Sequence, residues 1–248
     1  MTEPAAAERV ALVTGASRNI GRAISERLAQ DGADVLVHAA SDRASVEETA
    51  GLVRATGRRA EVALGDLTDP AMAERMVDAA LERFGRLDIV VANAAIRPES
   101  TIEEMSFEDW RRVLSLGLDS VFLLVKAALP ALKRSPAASI VMIGGLTGHS
   151  GAAHRAHVIA AKAGLVGFAK ALAHELGPAG IAVNTVAPGL IETRRAGSEP
   201  AHHAARTNPL GRRGTPEEVA AAVASLTRPD MRYVTGQTLH VNGGALMV

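Results

Sequence analysis

Val10-Ala11-Leu12-Val13-Thr14-Gly15-Ala16-Ser17-Arg18-Asn19-Ile20-Gly21 is a strand-sized apolar run that enters a glycine-bearing turn and opens into a segment with helical spacing. A strand that turns tightly into a helix directs the helix's N-terminal amides at whatever lies beyond the strand end, and those amides suit a pyrophosphate. Asn19 stands inside the turn. Asparagine is the non-glycine residue most tolerant of positive φ, so the turn still forms, with an added side chain able to crowd the pyrophosphate or hydrogen-bond to it.

Valine- and isoleucine-rich runs recur outward from this turn at 35–37, 62–64, 89–91, 140–143, 181–186 and 238–241, each the length of a strand. Helix-spaced segments alternate with them, at 20–31, 71–84, 107–129, 162–176 and 216–227. Continuous apolar strands alternating with helices imply a parallel sheet covered on both faces. Gly32, Gly57, Gly85 and Gly177 follow helical segments as C-caps, and Thr215-Pro216-Glu217-Glu218 reads as a capped helix start. No linker divides the 248 residues, so one domain over 1–248 is expected. The weakly periodic stretch 190–214 is the candidate substrate lid.

Composition narrows the function. Lysine plus arginine and aspartate plus glutamate both number 27, and aromatic residues make up 2%, which argues against nucleic-acid binding. No cysteine is present, so disulfides and thiolate chemistry are excluded; the histidines lack an accompanying acid cluster, and no metal is expected. Glu3, Pro4, Glu8 and Arg9 precede the first hydrophobic run, unlike a signal peptide. Asp119, Lys126 and Pro130 interrupt the most apolar long stretch, 113–132, and break it as a membrane span. A cytoplasmic protein acting on a small molecule is expected.

The turn resembles the Thr-Gly-x-x-x-Gly-x-Gly of the short-chain dehydrogenase/reductase family, departing at Asn19, and the resemblance, of the 3-oxoacyl-acyl-carrier-protein reductase kind, continues through the whole chain. It implies an α/β, doubly wound Rossmann fold with a seven-stranded parallel sheet and helices on both faces. It also implies cofactor contacts from Gly15, Ser17, Arg18, Asn19, Ile20 and Gly21. Asp66-Leu67 matches the adenine-flanking pair, and Asn93-Ala94 the floor of the ribose site. Pro188-Gly189 with Ile191 and Thr193 matches the carboxamide segment. An NAD site usually has a carboxylate at the end of the second strand. Here the chain reads His38-Ala39-Ala40-Ser41. Arg18, Ser41 and Arg43 offer a 2′-phosphate cationic and hydroxyl partners, so NADPH (NADP+) is favoured; the alternative has Asp42 reach an NAD ribose. The tail at 235–244 resembles the family's last strand, which implies a homo-oligomer, commonly a tetramer.

In the family a serine and a tyrosine hold the substrate oxygen, a lysine follows four residues after the tyrosine, and an asparagine supports a relay water. Gly145 stands at the serine position, Val158 at the tyrosine position and Gly117 at the asparagine position, while Lys162 is kept. Valine and glycine supply neither a proton nor an oxyanion partner. Replacement groups are sought in the loop before Val158, where His154, Arg155 and His157 lie. An early helix start would put His154 and Arg155 on the face of Val158 and Lys162. Arg155 could instead clamp a substrate carboxylate, and the histidines could simply be solvated. His202, His203 and the lid arginines Arg194, Arg195 and Arg206 are weaker candidates. Three functions follow. One is an atypical NADPH-dependent oxidoreductase for an imine, iminium or conjugated acceptor, or with a relocated histidine acid. The others are a cofactor-binding protein without redox turnover and a non-redox cyclase or isomerase.

Overall fold

The computed structural model describes residues 9–193 and 207–248. Seven strands form one sheet: β1 (Arg9–Val13), β2 (Ala33–Ala39), β3 (Ala60–Leu64), β4 (Ile89–Ala92), β5 (Ser139–Ile143), β6 (Ala182–Pro188) and β7 (Thr238–Val241). Their order is β3-β2-β1-β4-β5-β6-β7, and every pairing is parallel. β1, β4, β5 and β6 are almost wholly buried, as strands covered on both faces must be.

One face carries α1 (Asn19–Gln30), α2 (Arg43–Ala55) and α8 (Pro216–Leu226), whose apolar sides share a core with Val13, Val35, Val37, Val91 and Val141. The other carries α3 (Pro70–Phe84), α5 (Ser120–Leu132) and α7 (Ala156–Leu176), packed on Leu12, Leu36, Val90, Ile140 and Val183. α4 (Phe107–Leu114) runs into α5 through a wide turn at Ser115–Asp119, and α6 (Thr147–Ser150) is one short turn. Strand order reverses between β1 and β4, and the crevice outside the strands' carboxyl ends at such a switch point is where ligands bind in this kind of sheet.

Three details depart from the sequence reading. Gly177 is the C-cap of α7, as expected, but with helical φ, and the left-handed turn comes only at Gly180, φ +72°, after a short 3-10 turn at Gly177–Ala179. α7 starts at Ala156, earlier than residue 162, yet not early enough to include His154, whose φ of +60° lies in the left-handed region and breaks helical continuity there. Finally, helices 107–132 and 156–179 are long and apolar enough to cross a membrane by length and composition, so Asp119, Lys126 and Pro130 do not break the first of them. Their apolar faces are instead committed to the sheet: Val121, Leu124, Val125, Ala128, Leu165, Ala169 and Leu172 all belong to the core.

Candidate functional site

A cleft of about 1200 Å³ opens along the carboxyl ends of the strands. Its first wall is the turn after β1. Gly15 has φ +63°, and a Cβ there would meet Ala94 Cα at 2.8 Å; a Cβ on Gly21 would collide with the Gly15 carbonyl and with Asn93 Nδ2. Both positions demand glycine, for conformation and for close approach. Asn19 has φ +51°, so it takes the left-handed conformation that its residue type tolerates. Arg18, the N-cap of α1, makes no side-chain capping bond. The helix start thus faces the cleft without the usual side-chain acceptor, the arrangement that receives a phosphate.

Long-range polar contacts fix this turn. Thr14 Oγ1 accepts from the Asn93 and Ala94 amides at 3.0 and 3.2 Å, while Asn93 Nδ2 donates to the Thr14 and Gly15 carbonyls at 3.0 and 2.9 Å. Asn93 is therefore a brace between two strand ends as well as a cleft residue. Arg22 donates to the Ser17 carbonyl at 2.6 Å and pairs with Glu48 at 2.8 Å, and Thr49 Oγ1 donates to the Ala16 carbonyl at 2.8 Å. His38, 1% exposed, accepts from the Gly15 amide at Nδ1 (3.4 Å), leaving Nε2–H to donate to the Gly65 carbonyl at 2.9 Å. Burial holds its pKa below the ordinary imidazole value, and the neutral ring bridges the turn to the end of β3.

At the end of β2 the cleft is lined by His38, Ala39, Ala40 and Ser41, with Arg18 opposite. Asp42 is the N-cap of α2 and accepts from the Ser45 amide at 3.0 Å, so its carboxylate is engaged in helix capping. Arg43 is exposed, lies 3.6 Å from Glu47 and does not line the cleft. Asp66, Leu67, Asn93 and Ala94 line the middle, and Pro188, Gly189, Ile191 and Thr193 line the far wall. Of the residues singled out for the cofactor, the cleft gathers all except Arg43.

The floor beside them is built from Ile143, Gly144, Gly145, Leu146, Thr147, Val158 and Lys162. Lys162 is 7% exposed, and its Nζ donates to the Ile143 carbonyl at 2.6 Å. Burial first, then the charges of Arg97 and Arg155, lower its pKa to about 7. Val158 is 2% exposed. Gly145 has open space where a Cβ would point, whereas a Cβ on Gly117, in the wide turn, would come within 3.0 Å of Ala161 Cβ. Leu116, from the same turn, reaches the cleft; such turns often occur at functional sites.

Arg155, at the N-cap of α7, is 6% exposed and lines the cleft. His154 is exposed outside it, and His157 is fully buried on another side of α7, its pKa held down chiefly by burial; neither lines the cleft. The expected common face of His154 with Val158 and Lys162 does not form, because the left-handed residue precedes the helix. His202, His203, Arg194, Arg195 and Arg206, with the middle of the candidate lid, lie outside the described residues. Arg97 and Thr147 line the cleft and were missed from sequence. Thr147 follows the strand end by a few residues, a position that could have been searched for a hydroxyl. Arg97 sits in a loop with no periodicity to mark it.

A family model described as enoyl-(acyl carrier protein) reductase matches residues 15–245. The chain belongs to the short-chain dehydrogenase/reductase family. It is 40% identical to the 3-oxoacyl-[acyl-carrier-protein] reductase FabG of Vibrio cholerae serotype O1, over 97% of this chain and 98% of that protein. Among solved structures, a blue fluorescent protein from a metagenomic library in complex with NADPH superposes with a TM-score of 0.89. It is 34% identical, covering 96% of this chain and 98% of its own. A short-chain dehydrogenase from Burkholderia cenocepacia J2315 in complex with NADP gives a TM-score of 0.90 and 35% identity, covering 96% and 97%. The chain is thus an oxidoreductase-family protein whose relatives bind NADPH or NADP.

Proposed function

We propose that this chain is an atypical NADPH-dependent reductase that lacks the serine, tyrosine and asparagine of its family's active site. The observation that carries this reading is the cleft floor, where Gly145 and Val158 stand beside the buried Lys162 amine and no phenol is present among the described lining residues. When bound, NADPH supplies a hydride. The glycine cradle and open helix start from Gly15 to Gly21 fit its pyrophosphate, while Arg18 and Ser41, with no carboxylate aimed at the end of β2, fit a 2′-phosphate better than a bare ribose. Arg43 would join them only by a rotamer change away from Glu47. Asp66 and Leu67 would flank the adenine, Asn93, Ala94 and Lys162 would hold the nicotinamide ribose, and Pro188, Gly189, Ile191 and Thr193 would line the carboxamide.

A simple ketone that receives hydride leaves an alkoxide, which needs a proton donor and oxyanion partners worth typically about 10² to 10⁴ in rate each. The floor offers Lys162 and the Thr147 hydroxyl, and Arg155 from the side; His154 and His157 do not reach it without movement. An acceptor that spreads the incoming charge, such as a conjugated carbonyl, asks less of the protein. The same scarcity of donors favours a second reading, a cofactor-binding protein without redox turnover.

Fluorescence titration with NADPH and NADH, followed by NADPH consumption with conjugated carbonyls, imines and simple ketones, separates these readings. Tighter binding of NADPH and turnover of a conjugated acceptor are expected. Reduction of simple ketones at ordinary rates would overturn the first reading, and tight binding with no turnover would select the second. A cytoplasmic homo-oligomer, a tetramer by resemblance, is proposed as the working form. Exposed Phe107, Phe122, Tyr233, Met247 and Val248 support association, and light scattering would measure it.

A further inference from the structure

Four hydroxyl side chains line the cleft among the described residues: Ser17, Ser41, Thr147 and Thr193. Ser17 belongs to the phosphate turn, Ser41 to the end of β2 and Thr193 to the wall proposed for the carboxamide. Thr147 is the hydroxyl of the floor, two residues beyond Gly145 and the first residue of α6. Its neighbours place it at the reacting end of the cofactor site. The Gly144 amide donates to the Val186 carbonyl at 2.8 Å and the Leu146 amide to the Pro188 carbonyl at 2.9 Å, which ties the segment before Thr147 to the carboxamide wall. On the other side α6 lies against α7, where a Cβ on Gly148 would come within 3.1 Å of Lys162 Cβ. Thr147 thus stands between that wall and the lysine that would hold the nicotinamide ribose.

The hydroxyl is also uncommitted. Serines and threonines in the helices of this protein, or at their ends, donate to a carbonyl three or four residues back: Ser25 to Gly21, Ser120 to Leu116, Ser225 to Ala222 and Thr227 to Ala224. Such local bonds are the usual way these side chains satisfy themselves. Thr147 makes no such bond among the described residues; the carbonyl four residues before it, that of Ile143, accepts instead from Lys162 Nζ at 2.6 Å. A side chain only 8% exposed, lining a cleft and without a backbone acceptor, keeps its hydroxyl for a ligand.

We propose that Thr147 is the oxygen partner of this active site: its hydroxyl donates a hydrogen bond to the carbonyl oxygen of the acceptor and keeps it as negative charge gathers there. It does from α6 what the family's serine does from position 145, where this chain has glycine. A fixed donor aimed at a developing oxyanion costs no reorganisation when the charge arrives. This deepens the reductase reading and rests on it. It also narrows the acceptor to a conjugated carbonyl, because an iminium nitrogen has no lone pair to accept the bond.

The test uses 2-cyclohexenone and cinnamaldehyde as probes. Infrared difference spectroscopy of each bound to the NADP+-loaded protein reads the contact directly, since a hydrogen-bond donor lowers the carbonyl stretch. The stretch of at least one probe should lie lower in the unmodified protein than in Thr147→Val, and Thr147→Ser should restore it. NADPH consumption with the same probes should show kcat reduced about 10²-fold in Thr147→Val, largely regained in Thr147→Ser, with NADPH affinity unchanged in both. A merely structural role would instead lower NADPH affinity and leave the stretch where it was. Should Thr147→Val fail to fold, Thr147→Ala removes the hydroxyl without filling its place. An identical stretch or an undiminished kcat in the folded variant, or absence of binding by both probes, would each overturn the proposal. No turnover by an unmodified protein that binds a probe with the lowered stretch would overturn the reductase reading and leave the hydroxyl contact standing, so the two failures are distinct.

Discussion

At the scale of single residues, the vacancies on the cleft floor differ in how readily they could be filled. Gly145 has nothing within reach of an added Cβ, and Val158 lines the cleft, into which a larger side chain can extend. Gly117 is tighter, since its Cβ would press on Ala161 at 3.0 Å. The variant carrying Gly145→Ser and Val158→Tyr should therefore fold and should gain NADPH-dependent reduction of a simple ketone by about 10² to 10⁴ over the unmodified protein, because it regains a proton donor and an oxygen partner beside Lys162. Absorbance of NADPH with and without a ketone panel measures this. No gain in a well-folded double variant would mean that something other than these two positions keeps the floor inactive. Adding Gly117→Asn should lower the melting temperature, as the neighbouring helix must give way.

At the scale of elements, legibility in the sequence followed the range of the interaction. The strands were readable because each is a continuous apolar run, and the phosphate turn because Gly15 and Gly21 are required by backbone geometry within a few residues. The start of α7 was less clear, since Ala156 to Ala161 resembles any helix and the left-handed turn at His154 depends on its contact with Ser100. The braces were not legible at all. His38 reaches Gly15 and Gly65, and Asp88 reaches Val10, across gaps that only the fold closes. Asp88 makes the point in energy. It is fully buried at the mouth of β4, accepts from the Val10 amide at 2.8 Å, and binds Arg86 through both oxygens, with Ser135 after α5 as a further donor. Asp88→Ala would leave the Val10 amide and the Arg86 guanidinium without their shared acceptor and should cost about 3 to 5 kcal/mol. Denaturant unfolding measures that loss; a cost below about 1 kcal/mol would show that water replaces the carboxylate and that β1, β4 and the turn after α5 are not held through it.

At the scale of the whole molecule, the cleft is maintained against stability, and Lys162 makes that cost visible through pH. Its pKa in the folded chain is lowered to about 7, chiefly by burial and then by Arg97 and Arg155, whereas in the unfolded chain it returns to about 10.4. Below pH 7 both states hold the proton, and the folded state carries the full penalty of a buried charge. Between about 7 and 10 the unfolded chain binds more protons than the folded one, so stability contributed by this group rises with pH, by up to about 1.4 kcal/mol per unit. Above that window both states are neutral and the contribution is level. Every other titrating group is common to the protein and to a Lys162→Met variant, so the difference between their unfolding free energies isolates the term. That difference should be flat below about pH 6 and move in favour of the lysine protein from about pH 7 to 10, while at neutral pH the methionine variant binds NADPH more weakly. Parallel stability curves across this range would mean that the amine is solvated and stays charged in the folded protein, and the cleft floor would then lack the dry character that the burial of Lys162 gives it.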